Sequence, residues 1–305
     1  MTGTSSDKPP PGAPTLCLGD PIAEFVCERP VADVSEGDAF VPRFGGAVAN
    51  VAVVAARRGA HVALAGGAGD DAWGSWLRDR LAREGVATEW FELVAGARTP
   101  VAIVTVGLDG KPSRQVYGER VGTRLDGERL EDAVRRSAAL FITSGGAKDN
   151  EMTMRAREQA LSLNRPVVFD AHICVERWRS RAEAAAAANA CVPQALLVRA
   201  TEADAALMTG EDDPERAALA LLKAGARMVV ITLGVEGAIL RGELRLDVDG
   251  VPATVVSPAG AGEVLTGVLL ARLATSAFYP AAVGASLPEA VAEAARACER
   301  GSTLE

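Results

Sequence analysis

Between Ser137 and Leu240 the chain alternates apolar runs of strand length with helical patterns. ALFIT, PVVFD, ALLVRA and MVVITLG are separated by a helix running to Leu163, by ERWRSRAEAAAAANA, and by EADAALMTG followed by PERAALALLKAG. This rhythm limits the possible folds more than any other feature. Strands that are apolar throughout must be covered on both faces, and a helix between successive strands makes their pairing parallel through right-handed crossovers. Ligands of such sheets gather at the carboxyl ends of the strands. Ser144, Asp170, Arg199 and Thr232 stand at those ends. With 305 residues, 49% apolar and only 4% aromatic, the chain has material for one large α/β domain or two small ones, with a core of Ala, Val and Leu.

Two stretches depart from the rhythm. Residues 23–44 form one, and 99–120 the other, where PVAIVTVGLDGKPSRQVYGER carries an Asp-Gly turn between alternating runs as a hairpin does. Together they suggest a small second sheet. Further on, VVSPAGAGEVLTGVLLA (255–271) passes from a strand-like run into Gly260, Ala261 and Gly262, then into Glu263 at the start of an apolar helix. Three small residues leave backbone N–H groups bare, and the helix start adds unpaired donors and a positive dipole end, so an anion is favoured there. A carboxylate beside a phosphoryl group is placed to accept a hydroxyl's proton. Read alone, the segment fits equally a flexible connection whose acid stabilises the helix it precedes.

In chain order, LGDPIAEF, FGGAVANVAVVAARRGAHVALAGGAGDDAWGSWLRDRLAREGV, FDAHICVERW, RATEADAALMTG, ITLGVEGA and SPAGAGE resemble the ribokinase-like (PfkB) family of sugar kinases, from Leu18 to about Ala297. The resemblance implies a ribokinase-like three-layer α/β/α domain over residues 15–305, with a mostly parallel central sheet and a small β-sheet lid from segments 23–44 and 99–120. It implies ATP as donor, Mg²⁺ as its companion, a small sugar-like acceptor, and a homodimer contact through the lid. A closing lid has a physical rationale, since excluding water prevents hydrolysis in place of transfer.

Carried over position by position, the family's catalytic acid falls on Glu263 and its anion hole on Gly260, Ala261 and Gly262. Its substrate contacts fall on Glu24, Gly45, Gly46, Asn50 and Asp170, with His172 in the same presumed cleft. Asn50 has a second reading as a helix cap, and His172 as a loop residue with an ordinary hydrogen bond. The turn near the nucleotide falls on Thr232, Gly234 and Gly237, where a plain β-turn is the alternative. The magnesium segment falls on Thr201 and Asp204.

Several positions depart from the family pattern. Glu24 and Glu263 stand where the family has Asp; Asp204 stands for a Glu, and Thr201 for an Asn. His172 and Cys174 replace an amide and a guanidinium, and Ser257 replaces an Asp. Moving a catalytic carboxylate by about 1 Å can cost ~10²-fold in rate. The departures describe either a re-proportioned site for a different substrate or an eroded one. The expected activity is ATP-dependent phosphorylation of a sugar hydroxyl. The alternatives are a weak or inactive kinase-fold protein binding sugar or nucleotide in a regulatory role, and a nucleoside kinase. Family members also continue past the helix containing Ala290 to Cys298, which implies a thinner wall for the nucleotide pocket.

Other readings are narrower. Gly66 to Asp71 is no dinucleotide fingerprint, because the third glycine is out of register; its acids suit a helix cap. Trp73, Trp76, Leu77 and Leu81 share a helical face that reads as core. A net charge of −8 spread along the chain argues against nucleic acid. Five scattered cysteines without C-x-x-C spacing suggest reduced thiols, and residues 1–14 read as a disordered tail. With no bilayer-length apolar run and no signal pattern at the start, a cytoplasmic protein without membrane partners is expected.

Overall fold

A computed structural model of the protein describes residues 8–108, 112–118, 125, 127–300 and 304. The chain begins with β1 (Thr15–Leu18), β2 (Ile22–Cys27), β3 (Phe40–Gly45) and α1 (Ala47–Arg57). It continues through β4 (Val62–Gly69), α2 (Ala72–Arg83), β5 (Phe91–Val94), β6 (Val101–Val106) and β7 (Pro112–Tyr117). Then follow α3 (Gly127–Arg135), β8 (Ala139–Thr143), α4 (Asn150–Ser162), β9 (Val167–Asp170), α5 (Arg181–Cys191), β10 (Leu197–Thr201) and α6 (Glu202–Thr209). The last elements are α7 (Pro214–Lys223), β11 (Met228–Thr232), β12 (Gly237–Gly242), β13 (Leu246–Asp249), α8 (Ala261–Thr275) and α9 (Ala281–Arg300).

The main sheet runs in the order β13-β12-β11-β10-β9-β8-β1-β4-β5. Every neighbouring pair from β11 to β5 is parallel, as the unbroken apolar strands require. The sequence rhythm does not anticipate β12 and β13, which turn back antiparallel beyond β11. Gly237 permits that reversal: its φ is +107°, and a Cβ there would lie 2.6 Å from the Gly250 nitrogen.

Local signals set the helix limits. Thr201 caps α6, and Gly210 ends it in the left-handed region. Asp213 caps α7 with Pro214 in its first turn. The helix expected from Glu176 starts only at Arg181, because Ser180 takes an extended conformation and accepts the Glu183 N–H, while Val175–Arg177 form a separate 3₁₀ turn.

Helices α1, α2, α8 and α9 contribute to one buried cluster and α3 to α7 to another, giving the three-layer ribokinase-like α/β arrangement. Within the first cluster α8 lies close against α1: a Cβ on Gly267 would sit 2.6 Å from the Val54 Cβ. Each of these helices carries a site residue, so their spacing is part of the site.

The second sheet has the order β3-β2-β6-β7. Its outer pairs are antiparallel and its central β2–β6 pair is parallel, so the 99–120 hairpin adds to the 23–44 hairpin through its first strand. The expected Asp109-Gly110 turn, like residues 1–7 of the expected tail, lies outside the described residues. The rest of that tail meets the domain, with His61 Nδ1 2.6 Å from the Gly12 carbonyl oxygen. Among the described residues, no helix is long and apolar enough to cross a membrane.

Candidate active site

The two sheets and the loops at the carboxyl ends of β8 and β9 enclose a cavity of about 720 Å³. One end is shaped by the glycine pair between β3 and α1. Gly46 has φ +106°, and a Cβ on it would lie 2.8 Å from the Asp20 carbonyl oxygen. A Cβ on Gly45 would lie 2.6 Å from Glu24 Oε1. Gly46 therefore requires glycine for its conformation and its close backbone contacts, whereas a side chain at position 45 would displace the Glu24 carboxylate.

Gly46 is the N-cap of α1, and its carbonyl accepts the Asn50 N–H at 2.8 Å. Asn50 consequently lies inside the helix and does not cap it. Its side chain is 8% exposed and lines the cavity, yet Oδ1 accepts no hydrogen bond among the described residues. Leaving a buried amide oxygen unpaired costs about 1–3 kcal/mol, which a ligand hydroxyl would relieve. Glu24 also lines the cavity; its Oε1 accepts from Arg114 Nε at 3.1 Å and NH2 at 2.8 Å across the second sheet.

Sequence reasoning missed part of this wall. Asp20 Oδ1 accepts the Gly67 N–H at 2.8 Å, and Arg177 donates to Asp149 Oδ2 at 2.5 Å; all three side-chain partners, Asp20, Asp149 and Arg177, belong to cavity-lining residues. Arg177 lies three positions after Cys174, where the family pattern has its guanidinium. The 3₁₀ turn at Val175–Arg177 brings it back to the wall, a displacement no fixed-spacing motif reveals. His172 lines the cavity at φ +36°, a conformation uncommon outside glycine, and its carbonyl accepts from Ser144 Oγ at 3.4 Å.

The tryptophans depart from the expected core face. Leu77 and Leu81 are fully buried, but Trp73 and Trp76 are only partly so, packing edge to face at 5.7 Å, with Phe25 against Trp73 at 4.8 Å. Helix α2 bridges the two sheets there, and Trp76 reaches the cavity. The preceding Asp71 does cap α2. Its carboxylate accepts from Gly74 N, from Thr99 N and from the Thr99 hydroxyl. Desolvation pushes its pKa upward, but these donors outweigh it and hold the carboxyl below its ordinary value.

At the other end, Gly260 takes φ +87° and caps α8, with Ala261, Gly262 and Glu263 forming the first turn. Gly260 and Glu263 line the same cavity as Asn50 and Glu24. The N–H of Val264 reaches the Gly260 carbonyl, whereas those of Gly262 and Glu263 precede any intrahelical acceptor and are open to an anion. Glu263 makes no side-chain hydrogen bond or ion pair among the described residues.

The residues assigned to nucleotide and metal stand outside that cavity, at the ends of β10 and β11. Thr201 spends its hydroxyl on the Asp204 N–H at 3.1 Å, as the cap of α6. Asp204 Oδ1 lies 3.4 Å from the Ile173 N–H, beside the loop that carries His172. Thr232 Oγ1 accepts from Arg199 NH2 at 2.9 Å, and Gly234, at φ +58°, opens the turn that Gly237 closes. Asp170 does not line the cavity either. It is 3% exposed and paired with Arg199 NH1 at 3.2 Å, and it accepts the Thr266 hydroxyl at 2.6 Å.

A sequence model of the pfkB family of carbohydrate kinases matches residues 16–299, nearly the whole of this site and fold. The chain belongs to that family. Fructokinase-1 of Oryza sativa subsp. japonica is 29% identical over 265 residues, covering 85% of this chain and 82% of its own. The crystal structure of a PfkB protein from Polaromonas sp. JS666 superposes with a TM-score of 0.79 at 25% identity, over 95% of both chains. A fructokinase with bound ATP from Xylella fastidiosa gives 0.82 at 23% identity, over 95% of this chain and 93% of that one.

Proposed function

We propose that the protein transfers the terminal phosphoryl group of ATP to a hydroxyl of a small sugar, with Glu263 as the base that accepts the hydroxyl's proton. One observation carries this reading: a buried amide oxygen on α1 and a carboxylate on the first turn of α8, both without partners among the described residues, line one cavity. Asn50 and Glu24 hold sugar hydroxyls, and the N–H groups of Gly262 and Glu263 bind the phosphoryl oxygens as charge develops. Membership of the pfkB family supports carbohydrate as the substrate class.

The donor side fits a nucleotide carried with a hydrated cation. Gly260 lets the backbone approach closely, and Asp204 offers one hard oxygen beside the loop at Ile173. Among the described residues, no cluster of three His, Cys, Asp or Glu could form a metal cage; Mg²⁺ usually needs only one or two carboxylates besides the phosphates and water. When bound, it would neutralise phosphate charge, with Asp204 holding its hydration shell. The second sheet acts as the lid, its Glu24, Val26, Val104 and Arg114 lining the cavity.

The test is mass-spectrometric detection of product after incubation with MgATP and a panel of sugars, sugar acids and nucleosides, fructose included because curated relatives are fructokinases. A sugar phosphate above the no-enzyme control supports the reading. A nucleoside monophosphate alone moves the chain to nucleoside kinases. No product from the wild type, with turnover restored by Glu263→Asp, identifies an eroded site that binds without transferring.

A further inference from the structure

The cluster of buried Asp170, Arg199 and Thr266 with half-buried Thr232 is left unused by this reading, although it lies directly under the first turn of α8. Arg199 is 5% exposed. Its guanidinium presses against the first turn of α8: a Cβ on Gly262 would lie 2.8 Å from NH1 and 2.9 Å from NH2. NH1 donates to Asp170 and NH2 to Thr232 Oγ1, while Nε has no acceptor among the described residues. On the far side of the pair, Asp170 Oδ2 accepts from Thr266, one turn further along the same helix.

The ion pair is therefore a fixed dipole alongside α8. Its positive end lies under Gly262 and its negative end under Thr266. The helix has the same polarity, positive at Gly260 and negative toward Thr275. Buried away from water, the two fields add at the N–H groups that face the phosphoryl position.

We propose that Arg199 is a positioning residue that raises the affinity of the α8 N-terminus for an anion, with Asp170 setting how much of its charge is felt. It acts through Gly262 and the first turn and does not touch the ligand. A side chain at position 262 would displace the guanidinium from that turn. This inference rests on the kinase reading for the identity of the anion.

A purely structural pair and an electrostatic one predict different patterns. Losing either partner leaves a buried group unpaired and destabilises the fold, so Asp170→Asn and Arg199→Gln both lower the melting temperature under either account. Their effects on anion affinity have opposite signs only if the field matters. The probe is ADP, titrated calorimetrically in EDTA so that loss of a cation ligand does not enter.

Arg199→Gln, which leaves Asp170 negative, is expected to weaken ADP about tenfold; Asp170→Asn, which leaves Arg199 uncompensated, to tighten it about threefold. The double variant Asp170→Asn/Arg199→Gln removes both charges without leaving an unpaired ion, and is expected to weaken ADP about threefold even where a single variant fails to fold. Arg199→Lys keeps the charge and should stay closer to wild type than Arg199→Gln. Single variants that shift ADP affinity in the same direction, or a double variant equal to wild type, overturn the inference while leaving the kinase reading intact if the wild type phosphorylates a sugar. A wild-type protein that binds no ADP or ATP overturns both.

Discussion

The acceptor end and the donor end of the candidate site are built on opposite principles. At the acceptor end, Gly46 holds the backbone tightly and one buried polar atom remains available: Asn50 Oδ1 has no partner among the described residues, although Glu24 beside it is paired with Arg114. At the donor end, side chains are already engaged. Thr201 caps a helix, Thr232 holds Arg199, and Asp170 is enclosed with Arg199 and Thr266. On the proposed reading, a ligand at the first end meets side chains, and at the second backbone N–H groups with the Asp170–Arg199 pair behind them. The side chains altered relative to the family pattern at Thr201 thus have less to lose than their number suggests, because an amide exchanged for a hydroxyl still caps α6. Glu263 stands between the two ends and carries the largest expected effect.

Replacing Glu263 by Gln should remove the base and lower kcat by about 10²–10⁴, with the melting temperature unchanged because no internal bond is lost. Glu263→Asp separates the two accounts of the substitution. A re-proportioned site should lose roughly 10²-fold when the carboxylate is withdrawn by about 1 Å, whereas an eroded one should gain. Steady-state kinetics on the sugar identified by the product assay decide between them.

The acceptor end is broken next by Asn50→Ala. Because Oδ1 has no internal partner, the substitution should raise the KM for sugar about 10- to 100-fold while leaving thermal stability equal or higher. Stability that fell together with affinity would show that Asn50 serves the fold, and the contrast between the two ends would lose its main support.

The contrast also explains what could be read from the sequence. Fold class was legible because apolar strands and intervening helices from Ala139 to Thr232 fix a parallel sheet by pattern alone. Gly46, Asn50, Gly260 and Glu263 were picked out by short fixed spacings and the family resemblance, and the structure lines one cavity with them. Arg177 was not, since it lies three residues past the motif position and only the 3₁₀ turn returns it to the cavity wall. The Asp170–Arg199 pair was half visible: both residues stood at strand ends, but only the β9–β10 register and the approach of Thr266 from α8 show that they face each other and not the ligand. Strands β12 and β13 escaped because they depend on the close approach of Gly237 to Gly250, which no periodicity encodes.

The donor end is tested more gently by Thr201→Ala. Loss of the α6 cap should cost about 1 kcal/mol in urea unfolding. If the hydroxyl serves only as a cap, KM for MgATP should change less than twofold. A tenfold rise in that KM would return Thr201 to the nucleotide site and make the two ends alike.

The smallest effect concerns the joint between the sheets, where Asp71 ties the start of β6 to α2 through Thr99. Its folded pKa is depressed despite desolvation, because backbone and hydroxyl donors favour the carboxylate. The stability it contributes is therefore present above the unfolded value near ~3.9 and is lost as pH falls through the lower folded value. The group is partly exposed, so the contribution should stay under about 1 kcal/mol. Urea midpoints of wild type and Asp71→Asn should differ most at pH 7, and the gap should shrink as pH falls below ~3.9 toward the lowered folded value. A gap that persisted undiminished at pH 3 would mean that packing of the side chain, and not its charge, holds the second sheet to α2. The acceptor end would then owe its order to shape alone, like the glycines beside it.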